Sequence, residues 1–245
     1  MKIYYLITGT SSGIGEALAA KALQNGMEVC GISLGMSGNL VPFDHYRHIN
    51  YDIRETAGLE PIAATILKNL DTSRLDMICL INNAGTVEPL QSFETCGHEA
   101  IGANILTNLI APMVLTSSFI KYTENYPIRR KVVNISSAAS IYPLSGMGTY
   151  CTAKAGINMF TSCVGAEQAD KPNPVEIIAV DPGMVDTEMQ LRCRETERFA
   201  MAEYFRGLQN HNGLISAARA AENIHRMIER KYERGKLLSP IGEVM

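Results

Sequence analysis

The sequence predicts an α/β fold in which helices cover both faces of a parallel sheet. Short runs rich in Ile, Val and Leu alternate with longer segments whose apolar residues recur at helical spacing. Several of the short runs are apolar along their whole length, as strands are when both faces of a parallel sheet are covered. The 245 residues contain no repeat and no low-complexity linker, so we expect a single domain over residues 1–245.

The elements follow one another regularly from the N-terminus. A first strand over residues 3–7 leads through a glycine-rich turn into a helix over residues 14–25, which Gly26 ends as a C-terminal glycine cap. Further strands are predicted at residues 28–32, 48–51, 77–81, 131–135 and 175–180. Further helices are predicted at residues 60–70, 96–122, 150–169 and 216–230.

The chain changes character after Asp181. The segment that follows is charged and rich in Met and Arg, which suits a mobile lid better than another core layer. We therefore predict a substrate lid over residues 186–212. The tail over residues 236–245 is expected to hold one last strand.

Composition argues against several classes of protein. The net charge of −3 does not favour nucleic acid or an anionic membrane as a partner. The N-terminal apolar run is too short for a signal peptide, and no uninterrupted apolar stretch approaches the roughly 18 residues of a membrane span. Six cysteines without a CxxC pair are expected to be free thiols, and five histidines show no metal-ligand spacing. We expect a cytoplasmic protein with no metal site.

A glycine-rich turn, TGTSSGIG from Thr8 to Gly15, directly follows the first strand. In a βαβ dinucleotide site such glycines let the backbone approach the pyrophosphate, which binds free N–H groups at the helix N-terminus. Glycines alone would also suit a simple tight turn, but their place between strand and helix favours a cofactor site. A second turn, NNAG from Asn82 to Gly85, follows the fourth strand at the same sheet edge, with an ordinary Asn/Gly turn as the alternative.

Tyr150 and Lys154 lie four residues apart and therefore on one helix face. A Lys ammonium stabilises a phenolate and lowers the pKa of the Tyr, which makes the phenol a usable proton donor and acceptor. A serine at the end of the preceding strand, in the pair Ser136 and Ser137, would hydrogen-bond a carbonyl or alkoxide oxygen. The spacing YxxxK alone also occurs on solvated helix faces, so the interpretation depends on the motifs together.

Together these motifs resemble the short-chain dehydrogenase/reductase family. The resemblance is carried by TGTSSGIG, NNAG, an Asn in the long helix, a Ser ahead of the Tyr, YCTAK and DPGMVDT, and it runs from Lys2 to Gln190. The blocks LINNAGTVEP, APMVLTSSF and YCTAKAGINMF look most similar to the branch of sepiapterin reductases and bacterial benzil reductases. The resemblance implies a Rossmann-type doubly wound parallel sheet in three layers, and hydride transfer between a nicotinamide cofactor and a carbonyl or hydroxyl carbon.

The resemblance also implies roles for individual residues. Tyr150 would be the acid/base, Lys154 would lower its pKa and hold the nicotinamide ribose, and Ser137 would orient the substrate oxygen. Asn104 would hold a water in a proton relay from Lys154, with a buried Asn bonded to helix backbone as the alternative. The cofactor residues would be Gly9, Ser11, Ser12, Gly13, Ile14, Gly15, Ser33, Asp52, Ile53, Asn83, Ala84, Gly85, Tyr150, Lys154, Pro182, Gly183, Val185 and Thr187. The substrate wall is expected from Tyr142, Leu144, Met147, Met184 and Met189.

Neither usual signature of cofactor choice is present. Relatives that use NADP carry Arg or Lys where this chain has Ser12 and Leu34, and relatives that use NAD carry Asp where it has Ser33. Ser33 would not repel a 2′-phosphate, and Ser37, Asn39 and nearby backbone N–H groups would form an anion nest. NADP(H) is therefore expected to be preferred, with NAD(H) as the alternative.

The expected activity is reduction of one carbonyl of a small vicinal diketone or a pterin-like ketone, with Tyr150 as the proton donor. An alcohol or sugar dehydrogenase that works oxidatively is one alternative, and a dinucleotide sensor without catalysis is the other. An apolar stripe on the Tyr150 helix predicts a homodimer or homotetramer, because members of the family that this chain resembles pair their long helices with those of a second subunit. The stripe consists of Ala153, Gly156, Ile157, Phe160 and Val164, which would equally suit packing on the protein's own sheet.

Overall fold

The computed structural model of the protein describes residues 1–239 and 242–243. The strands are β1 (Ile3–Thr8), β2 (Glu28–Ser33), β3 (Tyr46–Asn50), β4 (Met77–Asn82), β5 (Arg129–Ile135), β6 (Glu176–Val180), β7 (Val185–Asp186), β8 (Ile215–Ser216), β9 (Lys236–Ser239) and β10 (Gly242–Glu243). The α-helices are α1 (Gly13–Gln24), α2 (Leu59–Leu67), α3 (His98–Ile105), α4 (Ala111–Tyr122), α5 (Gly148–Ala169), α6 (Glu188–Glu195), α7 (Ala202–Asn210) and α8 (Ala217–Glu229).

The central sheet has the strand order β10-β9-β6-β5-β4-β1-β2-β3. All neighbours are parallel except β10, which runs antiparallel to β9. The order reverses at β1, which pairs with β2 on one side and β4 on the other. In a doubly wound sheet this reversal opens a crevice at the carboxyl ends of the strands, where ligands bind. The predicted Rossmann-type fold is confirmed.

Helices pack on both faces of the sheet and produce the predicted three layers. Ile7 lies in a core with Leu18 of α1 and Ile224 of α8. Its neighbour Leu6 lies in a second core with Phe119 of α4. Successive side chains of a strand point to opposite faces, so the apolar runs are continuous because each strand serves both cores.

The long helix predicted over residues 96–122 is interrupted. A π-helical turn, Leu106–Ile110, separates α3 from α4. Pro112 lies in the first turn of α4 and has no N–H to donate to the carbonyl of Asn108, four residues earlier. The wider turn accommodates this missing bond, and it lies next to Asn104, one of the predicted site residues.

Within the part of the chain that the structure describes, one helical stretch, His98–Tyr122, is long and apolar enough to cross a membrane. In this fold it is a core helix, because Ala111, Leu115 and Phe119 are buried against the sheet.

The apolar stripe of α5 faces the protein's own sheet. Ala153, Ile157 and Val164 are 0%, 1% and 7% exposed, and Gly156 lies against the side chain of Leu109. Packing within the chain, the alternative given for the stripe, therefore accounts for these residues, while Gly156 and Phe160 are half-buried. The oligomeric state itself stays a prediction.

The predicted lid contains regular structure. Residues 186–212 include α6 and α7 and the end of β7, and β7 pairs with β8 beyond them. Its movement as a lid stays a prediction. The predicted last strand is present as β9, with β10 after it, while residues 240, 241, 244 and 245 of the predicted tail lie outside the described residues.

Candidate active site

The glycine-rich turn between β1 and α1 forms an open cradle. Gly9 and Gly13 have φ angles of 75° and 60°, a backbone conformation that side chains with a Cβ rarely adopt. Ser12 precedes α1, but its side chain makes no capping hydrogen bond. The first N–H groups of α1 therefore remain available for an anion.

The second predicted turn is bonded directly to the first. The Asn83 Nδ2 donates to the carbonyls of Thr8 and Gly9 at 3.0 and 3.2 Å. The Thr8 Oγ1 accepts from the backbone N–H groups of Asn83 and Ala84 at 3.0 and 3.1 Å. At Gly15 an added Cβ would lie 2.1 Å from the Gly9 carbonyl oxygen, so only glycine allows this close packing.

A cleft of about 760 Å³ runs along the carboxyl edge of the sheet from these turns to Tyr150. The predicted residues that line it are Gly9, Ser11, Ser12, Gly13, Ile14, Ser33, Asp52, Ile53, Asn83, Ala84, Gly85, Asn104, Tyr150, Lys154, Pro182, Thr187 and Met189. The predicted residues outside its described lining are Gly15, Ser137, Tyr142, Leu144, Met147, Gly183, Met184 and Val185. The elongated cleft, the uncapped helix and the crowded glycines fit a dinucleotide.

The DPGMVDT motif connects β6 to α6 beside this cleft. The backbone N–H of Gly183 donates to the Asp181 Oδ1 at 3.0 Å, which fixes the turn. Pro182 and Thr187 face the cleft, and the Thr187 side chain caps the N-terminus of α6. Val185 is buried in β7 instead.

Tyr150 and Lys154 are both buried at the floor of the cleft, 7% and 5% exposed. The Lys154 Nζ donates to the carbonyl of Ile135 at 2.8 Å and lies 5.5 Å from the centre of the Tyr150 ring. Burial raises the pKa of Tyr150, while a hydrogen bond with Ser137 lowers it to a smaller extent. Burial lowers the pKa of Lys154 to about 8.

These directions differ from the expectation that Lys154 lowers the pKa of Tyr150. Both groups lie away from water, so each is driven toward its neutral form. The ammonium is also bonded to a backbone carbonyl at the base of the site. The structure brings Tyr150 and Lys154 together as predicted, and their roles in catalysis stay predictions.

The two serines after β5 have different surroundings. The Ser136 Oγ donates to the Asn158 Oδ1 of α5 at 2.6 Å, which suits a structural serine. The Ser137 Oγ accepts from the backbone N–H of Ala139 at 3.2 Å, so its own hydrogen is free to serve Tyr150 or a substrate oxygen. Ser136, and not Ser137, belongs to the described lining of the cleft, and the role of Ser137 toward the substrate oxygen stays a prediction.

Asn104 is fully buried and holds the loop that follows β4. Its Nδ2 donates to the carbonyls of Thr86 and Glu88 at 3.1 and 2.6 Å. Its Oδ1 accepts from the Asn108 Nδ2 at 3.0 Å. These bonds match the alternative of a buried Asn bonded to backbone, although the carbonyls belong to a loop. The proton relay stays a prediction.

An apolar cluster surrounds the Tyr150 ring and joins the cleft floor to the segment over residues 186–212. Its buried members include Val87, Met147, Cys193, Phe199 and Phe205. The predicted wall residues Leu144, Met184 and Met189 pack against them.

Tyr142 is the exception among the predicted wall residues. It is 65% exposed and lies outside this cluster. Phe199 and Phe205 were missed, although apolar residues within a charged segment could have indicated them. Their ring centroids lie 5.7 Å apart.

The predicted anion nest at residues 35–39 is wrong. The Ser37 Oγ and the Asn39 Nδ2 both donate to the Glu16 Oε1 of α1, at 2.5 and 2.8 Å. This carboxylate uses the side-chain donors and would repel a phosphate. The Ser33 Oγ donates to the carbonyl of Gly35 at 2.8 Å, so its hydrogen is also in use.

Arg54 also lines the cleft, together with Ser33 and Asp52, and was not predicted from the sequence. Its guanidinium lines the cleft and holds Asp52 through both carboxylate oxygens, at 2.9 and 3.0 Å from Nε. This contact lowers the pKa of the Asp52 carboxyl. Arg54 therefore places a guanidinium, paired with Asp52, in the cleft that Ser33 also lines.

Fold and cleft together define a dinucleotide-dependent oxidoreductase, and comparison with protein families agrees. The family model for short chain dehydrogenase matches residues 4–198, so the chain belongs to the short-chain dehydrogenase family, whose coenzymes are NAD(H) and NADP(H).

Individual relatives match from about three fifths of the chain to nearly all of it. The benzil reductase ((S)-benzoin forming) of Bacillus cereus is 38% identical over 243 residues, 96% of this chain and 98% of the relative. The sepiapterin reductase of Bos taurus is 31% identical over 148 residues, 59% of this chain and 54% of the relative. A short-chain dehydrogenase/reductase structure from Saccharomyces cerevisiae, 25% identical, covers 98% of this chain and 96% of its own with a TM-score of 0.80.

Proposed function

We propose that this chain is an NAD(P)H-dependent carbonyl reductase that converts one carbonyl of a small vicinal diketone into a hydroxyl group. The observation that carries the proposal is the position of Tyr150. It lies beside Lys154 in the cleft, and its ring belongs to the apolar cluster. A flat apolar substrate would pack on this cluster with its oxygen beside the phenol. Similarity to a benzil reductase supports a diketone, and similarity to a sepiapterin reductase supports a pterin-like ketone as the second choice.

Two side chains act on the substrate oxygen, and a third acts on the phenolate of Tyr150. A nicotinamide cofactor, when bound in the cleft, supplies the hydride that adds to the carbonyl carbon. Ser137 and Tyr150 donate hydrogen bonds to the oxygen, which gains the electron pair of the C=O bond. Tyr150 then gives its proton to this oxygen, and the Lys154 cation stabilises the phenolate that remains. The raised pKa of Tyr150 keeps the phenol protonated beforehand, as a reductase requires.

For the cofactor we propose NADPH in preference to NADH. Ser33 has no charge to repel a 2′-phosphate, and Arg54 lines the cleft nearby. The Arg54 guanidinium is half exposed and holds Asp52 mainly through Nε and one terminal nitrogen. The other terminal nitrogen would contact the phosphate.

We also propose a homodimer in the cytoplasm. Met159 of α5 is 66% exposed, and Ile101 and Ile105 of α3 are half-buried, so this side carries apolar surface for a second copy. Sedimentation velocity at micromolar concentration measures the assembly. All six cysteines are free, which supports a reducing compartment.

Assays with a panel of carbonyl compounds test the activity. Benzil, 1-phenyl-1,2-propanedione and diacetyl are expected to oxidise NADPH and yield one hydroxyketone each, with NADH less effective. The Met-containing cluster adapts to several shapes, so more than one diketone should be accepted. The proposal fails if these compounds are inert while a sugar or a secondary alcohol is oxidised rapidly with NADP⁺ or NAD⁺.

Loss of the Lys154 proton is expected to limit reduction at alkaline pH. Burial lowers the pKa of Lys154 to about 8 and raises that of Tyr150, so Lys154 deprotonates first as the pH rises. The turnover rate at saturating cofactor should therefore be constant below this pKa and fall about tenfold per pH unit above it.

A Lys154→Arg variant is the matched control, because its guanidinium stays protonated throughout this range. It should turn over more slowly than the wild type but lose the alkaline decline. A wild-type profile that stays flat to about pH 10 would remove Lys154 as the titrating group.

A further inference from the structure

Three charged side chains form a rim on the cleft that Tyr150 also lines. Arg192 of α6 donates from Nη1 to the Glu88 Oε1 at 2.9 Å and from Nη2 to the Glu188 Oε1 at 3.0 Å. Glu88 belongs to the loop after β4, so the first contact connects the two walls of the cleft. We call Glu88, Glu188 and Arg192 the cleft rim.

The backbone on both sides of the rim is fixed. The carbonyl of Glu88 accepts from the buried Asn104 at 2.6 Å, which ties the loop to α3. Glu188 is the first residue of α6, directly after the capping Thr187, and it lies one helical turn before Arg192. The backbone that carries the rim side chains is therefore held at defined points of the cleft.

The charges of the rim do not balance. Two carboxylates face one guanidinium, and both terminal nitrogens of Arg192 already hold a carboxylate. The three side chains are between 55% and 62% exposed, so solvent weakens their field without removing it. An incoming carboxylate meets a net negative charge and a guanidinium whose two terminal nitrogens already pair with carboxylates.

We propose that the cleft rim selects neutral dicarbonyl substrates against carbonyl compounds that carry a carboxylate, such as 2-oxo acids. This inference rests on the proposed reductase function and narrows its substrate class. A vicinal diketone and a 2-oxo acid present the same reactive carbonyl to Ser137 and Tyr150. They differ in whether the group next to this carbonyl is neutral or anionic. The net negative charge of the rim repels the anionic group and does not repel the neutral one.

A nearly isosteric substrate pair isolates this property. 1-Phenyl-1,2-propanedione and phenylglyoxylate share the ring and the reacting ketone, and a methyl ketone in one replaces the carboxylate of the other. The quantity to compare is kcat/KM for phenylglyoxylate divided by kcat/KM for the dione. A variant that only loosens the fold lowers both values and leaves this ratio unchanged.

Three variants change the charge of the rim in steps. The ratio is expected to fall in the order E88Q/E188Q, E88Q, wild type, R192Q, because the rim loses positive or gains negative charge along this series. Each carboxylate removed should raise the ratio about threefold, and removal of both about tenfold, at low ionic strength. E203Q is the control, since Glu203 pairs with Arg206 on α7 and does not line the cleft.

Ionic strength provides a second readout. Salt screens exposed charges, so raising it should increase the wild-type ratio and reduce the differences among the variants. A ratio that does not respond to E88Q/E188Q, or that rises in R192Q, overturns the proposal. A ratio that is independent of salt does so as well.

Binding separates this inference from the proposed activity. Isothermal titration of phenylglyoxylate and the dione into the enzyme with NADP⁺ should give the same order of affinity ratios, even if neither compound is turned over. Absence of turnover in every variant would refute the reductase proposal alone. Equal affinity changes for both compounds in E88Q/E188Q would refute the rim proposal alone.

Discussion

Replacing Tyr150 by Phe is expected to lower turnover of a diketone by about 10²- to 10⁴-fold, the usual contribution of a general acid. The ring would still fill its place among Val87, Met147 and Phe205 in the apolar cluster, so only the transferable proton is lost. Cofactor affinity should change little because Lys154 and the glycine-rich turn remain. Single-turnover rates and a cofactor titration on the same sample measure the two effects separately.

Tyr142→Phe is the matched control for this variant. Tyr142 is 65% exposed and lies eight residues earlier in the chain, outside the apolar cluster. The same loss of a phenol hydroxyl should leave turnover near the wild-type value. If Tyr150→Phe also retained turnover within about threefold of the wild type, Tyr150 would have no part in proton transfer.

The sequence was sufficient to predict the features that depend on local pattern. Strands β1 and β4 are buried at every position and apolar up to their last residues, Thr8 and Asn82. These continuous apolar runs predicted both the strands and their burial on two faces. The turns after them contain Gly9 and Asn83, and parallel strands bring such turns to one edge of the sheet. The bonds from Asn83 to Thr8 and Gly9 confirm that proximity.

Features that depend on distant contacts were not predictable. Glu16, which lies in another part of the chain, accepts the hydrogen bonds of Ser37 and Asn39. Nothing in the sequence of residues 35–39 indicates that these donors are already in use. The pKa of Tyr150 was expected to fall because a lysine lies four residues away. Burial raises it instead, and burial is a property of the whole fold.

The interruption between α3 and α4 was predictable in part. Pro112 was visible in the sequence, and a proline inside a helical pattern signals a break or a distortion. Its consequence here is a π-helical turn beside Asn104, whose side chain then fixes the loop that carries Glu88. The sequence indicated where the helix would be disturbed. It did not indicate that Asn104, beside the disturbed turn, would hold the loop that follows β4.

Replacing Gly15 by Ala is expected to destabilise the protein and weaken cofactor binding, although alanine is normally the better residue within a helix. The added Cβ would lie 2.1 Å from the Gly9 carbonyl oxygen and 2.4 Å from the Asn83 Nδ2. Neither atom can move without separating the two turns that form the cradle. The free energy of unfolding should fall by about 1–3 kcal/mol, as for other overpacked sites. The dissociation constant of the cofactor should rise by about tenfold, because a displacement of the turns costs on the order of 1.4 kcal/mol of binding energy.

Gly102→Ala in α3 provides the opposite case within the same protein. A Cβ at Gly102 meets no atom within 4 Å, so the substitution should raise the free energy of unfolding by about 0.5–1 kcal/mol through helix propensity alone. Chemical denaturation of both variants compares the signs, and a cofactor titration compares the affinities. If both substitutions stabilised the protein and left cofactor affinity unchanged, the contact between the two turns would have no role in forming the cradle. Opposite signs would show that the space around Gly15, rather than its conformational freedom, requires glycine there.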